Sequence, residues 1–481
     1  MTIEAFDVLI VGAGLSGIGA AWRLQAQCPG RRYAVLEARD TLGGTWDLFR
    51  YPGIRSDSDM FTLSYPFRPW QGPASIADGA AIHAYLRDTA REGDIDRHIR
   101  FGQRVLGAAW DSQAARWTLE VEVAGVTRQY HCNFLYLCCG YYDYAQGHRP
   151  AFPGEAQFRG RWVHPQQWPA DLDCSHRDVV VIGSGATAVT LVPALAASAR
   201  QVTLLQRSPS YVLALPARDL LANWLRRALP ARLAGSLARW KNALAGQALF
   251  QLCRRLPNLS SRLLRLGVKR ALPRGYAVDT HFKPRYAPWD QRLCIVPDGD
   301  LFRAIASGKA QVVTDTIASV EADGLLLASG KRLPADIIIT ATGLKLQACG
   351  GMQLSVDGQP VDLGQRLAWQ GLLLDGVPNL AFCVGYTNAS WTLRADLSSR
   401  QVCRLLNHMH RHGYRECRAQ LADAGGERRP LLDINSGYVL RALDGLPKQG
   451  ARAPWRLRQN YLADYLAFRL GGMNAQGLVF H

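Results

Sequence analysis

Two glycine-rich turns, each set between an apolar run and a helical pattern, constrain this chain more than any other feature. Each follows the spacing G-x-G-x-x-G/A, with Gly12, Gly14, Gly17 in the first turn and Gly183, Gly185, Ala188 in the second. The first small residue permits a tight turn, the second lets a pyrophosphate approach the backbone, and the third lets helix and strand pack closely. Free N–H groups at the helix start then face the phosphates. We therefore predict two dinucleotide-binding units.

The residue that follows the next strand predicts which dinucleotide each unit binds. Glu37 comes twenty residues after Gly17, where an acid meets the ribose hydroxyls of an adenine dinucleotide. Arg207 comes nineteen residues after Ala188, where a guanidinium pairs with a 2′-phosphate. An arginine on a solvated strand edge is the alternative. The two sites together predict FAD and NADPH as cofactors, with hydride transfer from NADPH to the flavin.

The length of the chain, 481 residues, allows two or three domains. We predict an α/β fold with two Rossmann-like dinucleotide-binding domains and mainly parallel sheets. The FAD-binding domain is expected to use both chain ends, residues 1–150 and 345–481. The NADPH-binding domain is expected at residues 151–344, with a helical insertion at about 211–280.

Positive charge is concentrated in the predicted helical insertion. The net charge is +17, and the segment from Arg218 to Arg274 holds thirteen Lys or Arg residues with one acid, Asp219. Its leucine-rich sequence fits basic amphipathic helices, which can associate peripherally with an anionic membrane surface. A solvated helical insertion is the plainer interpretation. No nucleic-acid-binding motif accompanies the charge, so we predict no nucleic-acid partner.

Cysteine usage predicts a cytoplasmic protein, either free or peripheral at the inner face of the cell membrane. Eleven cysteines are scattered without a CxxC, and Cys138 and Cys139 are adjacent, which favours reduced thiols. No cysteine pair accompanies the first glycine turn, no metal site is predicted, and residues 1–7 show no secretion signal. The uncharged run Val179–Ala199 is long enough to span a bilayer, but its glycines favour a strand, a turn and a helix.

A segment between the two turns, FRGRWVHPQQWP, places Phe158, Gly160, His164 and Trp168 at fixed spacing. This segment resembles the fingerprint of Baeyer–Villiger monooxygenases, whose flavin-containing relatives carry a similar motif without the tryptophan. Five further segments resemble that family, most closely its ethionamide-activating branch: GGTWDLFRYPGIRSDSDM, ITATGL, PWDQRLCIVPDGDLF, GYTNASWT and LPKQGARAPWRLRQNY. The resemblance covers nearly the whole chain.

The resemblance implies an enzyme that uses NADPH and O2 through a C4a-peroxyflavin. Small lipophilic ketones would give esters or lactones, and thioether or thioamide sulfur would be oxidised. Arg292 and Asp57 are the implied catalytic residues, and His164 and Trp168 are implied to couple domain movement to catalysis. The residues implied to hold FAD are Gly12, Gly14, Ser16, Gly17, Glu37, Thr45, Trp46, Asp47, Leu48, Arg55, Ser56 and, through its backbone at the end of the short strand IRFGQRV, Val105. The residues implied to hold NADPH are Gly183, Ser184, Gly185, Ala186, Thr187, Ala188, Val189, Arg207 and Ser208.

The implied role of Arg292 has a physical basis. A fixed cation favours the anionic form of a nearby acid, and guanidinium stays charged at any relevant pH. Such a donor contributes about 3–4 kcal/mol when it is preorganised toward charge that develops on the reacting group. Asp57 would orient Arg292, although the run RSDSD also suits a turn. Gln291 stands where many family members have lysine, so NADPH preference depends more on Arg207.

Three other functions share part of this pattern. An N- or S-oxygenating flavin monooxygenase would lack ketone activity, and Trp168 and Arg292 disfavour it. An NADPH-dependent flavoprotein reductase of a disulfide or quinone would need no oxygen, and the cysteine pattern disfavours it. A flavin-binding protein whose basic segment docks on nucleic acid or membrane would leave two intact dinucleotide sites without a purpose.

Overall fold

The computed structural model describes residues 3–421, 427–473 and 476–481. Its amino-terminal part begins with a strand, the first glycine turn and a helix, in the predicted order. The elements are β1 (Glu4–Val11), α1 (Leu15–Gln27), β2 (Tyr33–Leu36), α2 (Thr45–Leu48), α3 (Met60–Leu63), α4 (Gly79–Glu92), β3 (Ile99–Arg100), β4 (Gln103–Asp111), β5 (Arg116–Val123), β6 (Val126–Leu137) and β7 (Tyr142–Gly147).

The middle of the chain repeats the strand–turn–helix unit and then inserts helices. The elements are β8 (Arg161–Val163), β9 (Asp178–Ile182), α5 (Ala186–Leu195), β10 (Gln201–Gln206), β11 (Val212–Leu215), α6 (Leu220–Ala228), α7 (Ala231–Arg255), α8 (Pro257–Ala271), α9 (Val278–His281), β12 (Cys294–Pro297), α10 (Asp300–Ala306), β13 (Ala310–Thr314), β14 (Ile317–Glu321), β15 (Gly324–Leu327), β16 (Arg332–Pro334) and β17 (Ile337–Thr340). No helix among the described residues has both the length and the apolar character needed to cross a bilayer.

The carboxyl-terminal part contains short strands and one long helix, α11. The elements are β18 (Leu344–Leu346), β19 (Gln353–Val356), β20 (Gln359–Pro360), β21 (Ala368–Trp369), β22 (Leu373–Leu374), β23 (Leu380–Phe382), α11 (Trp391–His412), β24 (Cys417–Ala419), β25 (Arg428–Pro430), α12 (Gly437–Leu440), β26 (Lys448–Gly450), α13 (Tyr461–Leu470) and β27 (Leu478–Phe480).

Eleven strands form the first sheet, and both ends of the chain contribute to it. Strand β1 lies between β2 and β6 and runs parallel to both. Strands β4, β5 and β6 form an antiparallel meander, while β23 and β19 from the carboxyl-terminal part add parallel to β6 and β4. Successive residues of β1, such as Leu9 and Ile10, enter separate cores on the two faces. Burial on both faces explains the uninterrupted apolar run of β1.

Five parallel strands form the second sheet, in the order β13-β10-β9-β17-β8. Helices α5 and α10 contribute to the core on one face, and the antiparallel strands β14, β15 and β16 to that on the other. All five strands come from residues 161–340. The predicted α/β fold with Rossmann-like units is confirmed. The predicted division at residues 150 and 344 stays a prediction. The antiparallel strand pair of β7 and β18 lies close to both positions.

One local prediction is corrected. The sequence predicts that IRFGQRV is one short strand that ends at Val105. In the structure a bend at residues 101–102, where Gly102 has a φ of +63°, separates β3 from β4. Val105 is therefore the third residue of the longer strand β4, because β4 continues through the meander to Asp111.

Candidate active site

The first glycine turn requires glycine at two positions for steric reasons. Gly12 has a φ of +100°, and a Cβ there would lie 2.8 Å from the carbonyl oxygen of Cys138. A Cβ at Gly17 would lie 1.8 Å from the carbonyl oxygen of Gly12, so α1 could not pack against β1. Gly14 differs, since a Cβ there would make only an ordinary contact of 3.6 Å with Gly44. The space in front of Gly14 suits a ligand that approaches the backbone closely.

Glu37 is fixed behind this turn. Its carboxylate accepts hydrogen bonds from the backbone N–H groups of Ala13 at 2.7 Å and Arg39 at 3.0 Å. Burial raises the pKa of Glu37 above its ordinary value, although those backbone hydrogen bonds oppose the shift. The carboxylate therefore connects the end of β2 to the turn and lies at the wall of the adjoining cavity.

A cavity of about 520 Å³ lies in front of the first turn and extends to the second. The predicted site residues in its lining are Gly12, Gly14, Ser16, Glu37, Thr45, Trp46, Arg55, Ser56, Asp57, Val105, Ala186, Thr187 and Arg292. The predicted residues outside its lining are Gly17, Asp47, Leu48, Phe158, Gly160, His164, Trp168, Gly183, Ser184, Gly185, Ala188, Val189, Arg207 and Ser208. The structure thus brings the two catalytic candidates and most of the flavin candidates to one cavity.

Arg292 and Asp57 form a two-point ion pair at the cavity wall. Arg292 Nε lies 3.1 Å from Asp57 Oδ2, and Arg292 Nη2 donates to Asp57 Oδ1 at 3.3 Å. The two side chains are 32% and 36% exposed, so the pair stays accessible from the cavity. Burial opposes the charge of the guanidinium, but the Asp57 carboxylate raises the pKa of Arg292 above its usual value. Arg292 is therefore a permanent, oriented cation.

Three neighbours of this pair have structural partners of their own. Arg55 forms an ion pair with Asp300 in the first turn of α10, so the loop before α3 is tied to the second sheet. The Ser56 hydroxyl donates to the carbonyl oxygen of Ser58. Asp47 pairs with Arg39 and, at 2.9 Å, with Arg50. Although burial raises the pKa of Asp47, the two guanidinium groups lower it below its ordinary value.

Leu48 faces the second sheet rather than the cavity. It packs against the apolar core that contains Val189 and Val192 of α5. Thr45 and Trp46, in the same short helix α2, line the cavity instead. One helix therefore serves both the cavity wall and the packing between the two sheets.

The second glycine turn is open to solvent. Gly183 has a φ of +143°, and a Cβ there would lie 2.3 Å from the carbonyl oxygen of Ala341. Gly185 is exposed, and a Cβ there would meet nothing within 4 Å. The Ser184 and Ser210 hydroxyls lie 2.9 Å apart. The start of α5 thus presents free backbone N–H groups to open space, which suits a phosphate group.

Arg207 and Ser208 lie just beyond the carboxyl end of β10, and both side chains are exposed. Strand β10 runs parallel to β9, with Leu205 beside Ile182. The register places Arg207 on the same edge of the sheet as the second glycine turn. A guanidinium at this position is within reach of a dinucleotide bound along the turn.

The FRGRWVHPQQWP segment packs against the antiparallel strand pair of β7 and β18. A Cβ at Gly147 would lie 1.9 Å from His164 Cε1, so the imidazole rests directly on the β7 backbone. His164 Nδ1 accepts from the Gln166 N–H at 3.2 Å, and the Gln166 side chain donates to the carbonyl oxygen of Asp143 at 2.8 Å. Burial lowers the pKa of His164 below its ordinary value. A neutral imidazole therefore fixes this segment to β7.

The aromatic and small residues of the motif support this packing. Phe158 and Trp162 are arranged edge to face with 5.6 Å between ring centroids. A Cβ at Gly160 would lie 2.3 Å from the carbonyl oxygen of Asp336 and 2.4 Å from Phe158 Cζ. Trp168 is partly buried against the core of the second sheet.

Comparison with known proteins decides the family. A model described as flavin-binding monooxygenase-like matches residues 58–220, and one described as an NAD(P)-binding Rossmann-like domain matches residues 10–76. The FAD-containing monooxygenase EthA of Mycobacterium tuberculosis (strain ATCC 25618 / H37Rv) is 53% identical over 478 residues, with 99% of this chain and 98% of EthA covered. The chain belongs to the FAD-containing monooxygenase family.

Other relatives agree with this assignment. EthA of Mycolicibacterium smegmatis is 51% identical over 478 residues, with 99% of this chain and 97% of that protein covered. Among solved structures, oxidized steroid monooxygenase bound to NADP superposes with a TM-score of 0.79 at 20% identity and covers 99% of both chains. The predicted resemblance to Baeyer–Villiger monooxygenases is confirmed. The predicted cofactors FAD and NADPH are confirmed at the level of the family and its structural neighbours.

Sequence reasoning missed several residues around the cavity in front of the first glycine turn. Tyr141, Tyr142 and Trp391 line it, and the Trp391 indole N–H donates to Ser16 Oγ at 2.7 Å. The tyrosines belong to the run GYYDY directly after β6, on the edge of the sheet where a ligand would lie. Their position after a central strand of the sheet was the signal from which these tyrosines could have been predicted as site residues. Nothing local signals the bond between Trp391 and Ser16, because 375 residues separate them.

The cysteine prediction needs a correction. Cys138 and Cys139 both line the cavity beside the first glycine turn, and Cys383 lies in the chain just after the neighbouring strand β23. The sequence does not predict this cluster, because the pairing of β23 with β6 brings Cys383 near Cys138. All eleven cysteines are free. Burial raises the pKa of Cys138 well above its ordinary value and raises that of Cys139 to about 12. The Cys138 and Cys139 thiols are therefore protonated and weak nucleophiles.

Proposed function

We propose that this FAD-containing monooxygenase inserts one oxygen atom of O2 into small lipophilic ketones, giving esters or lactones. It would also oxidise thioether or thioamide sulfur, with NADPH as the electron source. The observation that supports this most strongly is the ion pair of Arg292 with Asp57 at the wall of the cavity in front of Gly14. Bound FAD, once reduced, would supply the activation of oxygen.

The residues present fit both dinucleotides. The N-terminus of α1 and the uncluttered backbone at Gly14 would hold the FAD pyrophosphate, and Glu37 would bind a ribose hydroxyl. The open turn at Gly185 would hold the NADPH pyrophosphate. Ala186 and Thr187 of that turn also line the flavin-side cavity. NADPH bound there would have its nicotinamide directed toward the flavin.

Arg292 would act on the substrate as a fixed hydrogen-bond donor. Its guanidinium would bind the carbonyl oxygen of a ketone and stabilise the negative charge that develops on that oxygen. Asp57 holds two of the guanidinium nitrogens, so the donor needs no reorientation during the reaction. The aromatic residues Tyr141, Tyr142 and Trp391 give the cavity an apolar wall, which suits lipophilic substrates and excludes water.

Variants of Arg292 test this proposal. We expect Arg292→Ala to lower kcat for a ketone by about 10²–10³-fold, the usual cost of removing one preorganised donor. NADPH oxidation should continue under air, because the NADPH residues are untouched. Arg332→Ala is the matched control, since that arginine is 74% exposed and pairs only with Glu321 among the described residues. Ester or lactone product is measured by mass spectrometry beside NADPH consumption.

Two results would contradict the proposal. Oxidation of a thioether but of no cyclic or linear ketone by the wild-type enzyme would assign it to the N- or S-oxygenating class. Turnover of a quinone or disulfide without oxygen would assign it to the reductases. The protonated state of Cys138 and Cys139 disfavours the disulfide reaction.

We propose the cytoplasm as the place where the enzyme works. All eleven cysteines are unpaired, which is typical of a reducing compartment. From the cytoplasm the enzyme would meet lipophilic substrates at the inner face of the cell membrane. Cell fractionation with an antibody against the protein tests this location.

A further inference from the structure

Helices α6, α7 and α8 expose an unusual number of large apolar side chains. Of the twenty large hydrophobic side chains exposed in the described residues, eleven lie within residues 220–266. Leu220 is 80% exposed and Trp224 61%. The eleven are Leu220, Leu221, Trp224, Leu233, Leu237, Leu244, Leu252, Leu256, Leu259, Leu263 and Leu266. Single exposed leucines are ordinary, but a concentration of this kind marks an interaction surface.

The exposed side chains follow the helical period. On α7 they are Leu233, Leu237, Leu244 and Leu252, and on α8 they are Leu259, Leu263 and Leu266. Steps of three, four, seven and eight residues place side chains on one face of a helix. The alanines 234, 238 and 243 of α7 are buried instead. Each helix therefore packs one side on the protein and presents leucines to solvent.

Helix α13 extends this surface. Leu462, Leu466 and Leu470 are exposed and four residues apart, so they share one face of that helix. The helix packs beside α7, because Tyr461 and Tyr465 contact Trp240 with ring centroids 5.2 and 5.1 Å away. The apolar surface thus includes elements from two distant parts of the chain.

Basic side chains surround these leucines. Eight are exposed and form no ion pair among the described residues: Arg218, Arg227, Arg232, Arg255, Arg262, Lys269, Arg270 and Arg274. The only acid in the segment, Asp219, already pairs with Lys241 and caps α6. A surface with this excess of cations attracts an anionic partner.

An apolar cavity opens next to the surface. It has a volume of about 260 Å³ and lies between β11, α7, α8 and Phe302 of α10. Leu252 and Leu263, two of the exposed leucines, are part of its wall. The cavity is separate from the one that holds Arg292, and its lining is almost entirely hydrocarbon.

We propose that α6, α7, α8 and α13 form a docking surface for an anionic lipid bilayer. The leucines would enter the boundary between headgroups and acyl chains, and the arginines and lysines would contact lipid phosphates. A nucleic acid would satisfy the cations but leave the leucines in water. The proposal does not depend on which substrate the enzyme oxidises.

Vesicle co-sedimentation of the FAD-loaded, full-length enzyme tests the docking surface. We expect sedimentation with vesicles of phosphatidylcholine and phosphatidylglycerol, and little with phosphatidylcholine alone. Added salt should weaken binding without abolishing it, because the leucines contribute as well. The double variant Arg262→Glu/Arg270→Glu should bind at least about thirtyfold more weakly, and Leu220→Ser/Trp224→Ser should lose the salt-resistant part.

Matched controls use exposed residues elsewhere. Val126→Ser and Arg128→Glu change one apolar and one basic side chain at the β5–β6 hairpin and should bind vesicles like the wild type. Unchanged NADPH oxidation with a water-soluble substrate would show that each variant is folded. The proposal is overturned if the wild type ignores anionic vesicles at low salt. It is also overturned if the leucine variants abolish a solution dimer rather than vesicle binding.

Discussion

A single charged residue distinguishes the two glycine turns chemically. The first turn is followed by Glu37, which is buried and held by two backbone N–H groups. The second is followed by Arg207, which is exposed beside an open turn. An acid would repel a 2′-phosphate, whereas a guanidinium pairs with it. We therefore expect the choice between NADH and NADPH to depend mainly on Arg207, because Gln291 offers no second cation.

Arg207→Ala should raise KM for NADPH about tenfold or more and leave KM for NADH nearly unchanged. The reason is the loss of a charge-assisted hydrogen bond, which contributes about 1.5–3 kcal/mol. Arg200→Ala is a matched control, because Arg200 lies just before β10 and Arg207 just after it. Steady-state kinetics with both cofactors give the answer. An equal loss with NADH and NADPH would show that Arg207 acts on the turn and not on the phosphate.

At the level of elements, α11 and α13 are joined by a buried ion pair. Arg394 Nη1 lies 2.6 Å from Asp464 Oδ2, with side chains only 2% and 10% exposed. The Tyr386 hydroxyl donates to the same carboxylate oxygen at 2.7 Å. This pair holds α13 in place, and α13 supports α7 through Tyr461 and Tyr465.

Asp464→Ala should lower the free energy of unfolding by about 3–5 kcal/mol, because it leaves the Arg394 guanidinium buried without its carboxylate. Glu427→Ala removes an exposed pair with Arg429 and should leave the free energy of unfolding nearly unchanged. Denaturant titration of both variants measures the difference. If both variants lower the free energy of unfolding by a similar small amount, water must reach Arg394.

The elements differ in how well the sequence predicts them. Both strand–turn–helix units are predictable, because their signals lie within a few residues and a side chain at Gly12, Gly17 or Gly183 would clash. The bond of Trp391 with Ser16 and the grouping of Cys138 with Cys383 are not, since the first sheet is completed by strands and a helix from the far end of the chain. Charge and leucine content predict helices at about residues 211–280, and α6, α7 and α8 lie in that segment. Which leucines remain exposed is a result of packing.

For the molecule as a whole, stability should fall as the pH drops from about 7.5 to about 5.5. Burial lowers the pKa of six histidines below their ordinary value, namely His98, His131, His148, His164, His281 and His408. The unfolded chain binds protons near pH 6.5 while these folded histidines stay neutral, so acid favours unfolding. Their stabilising effect is complete above that pH and is lost below it.

Denaturant unfolding at constant ionic strength, at three pH values in this range, checks this expectation. His164→Asn should make the loss of unfolding free energy at low pH smaller, because the His164 ring is buried against Gly147 of β7. A free energy of unfolding that is equal or greater at pH 5.5 than at pH 7.5 would contradict it.

The contact between α1 and α11 has a consequence for how the enzyme is made. Arg23 of α1 lies 2.7 Å from Asp396 of α11, and the Trp391 indole of α11 donates a hydrogen bond to Ser16 of α1. The wall that Trp391 gives to the cavity is therefore synthesised long after the wall that contains Ser16. A ribosome has released the first glycine turn well before it translates α11. We therefore expect the nascent chain to lack a closed pocket until synthesis is nearly complete, and we expect the flavin to be loaded late in the maturation of the enzyme.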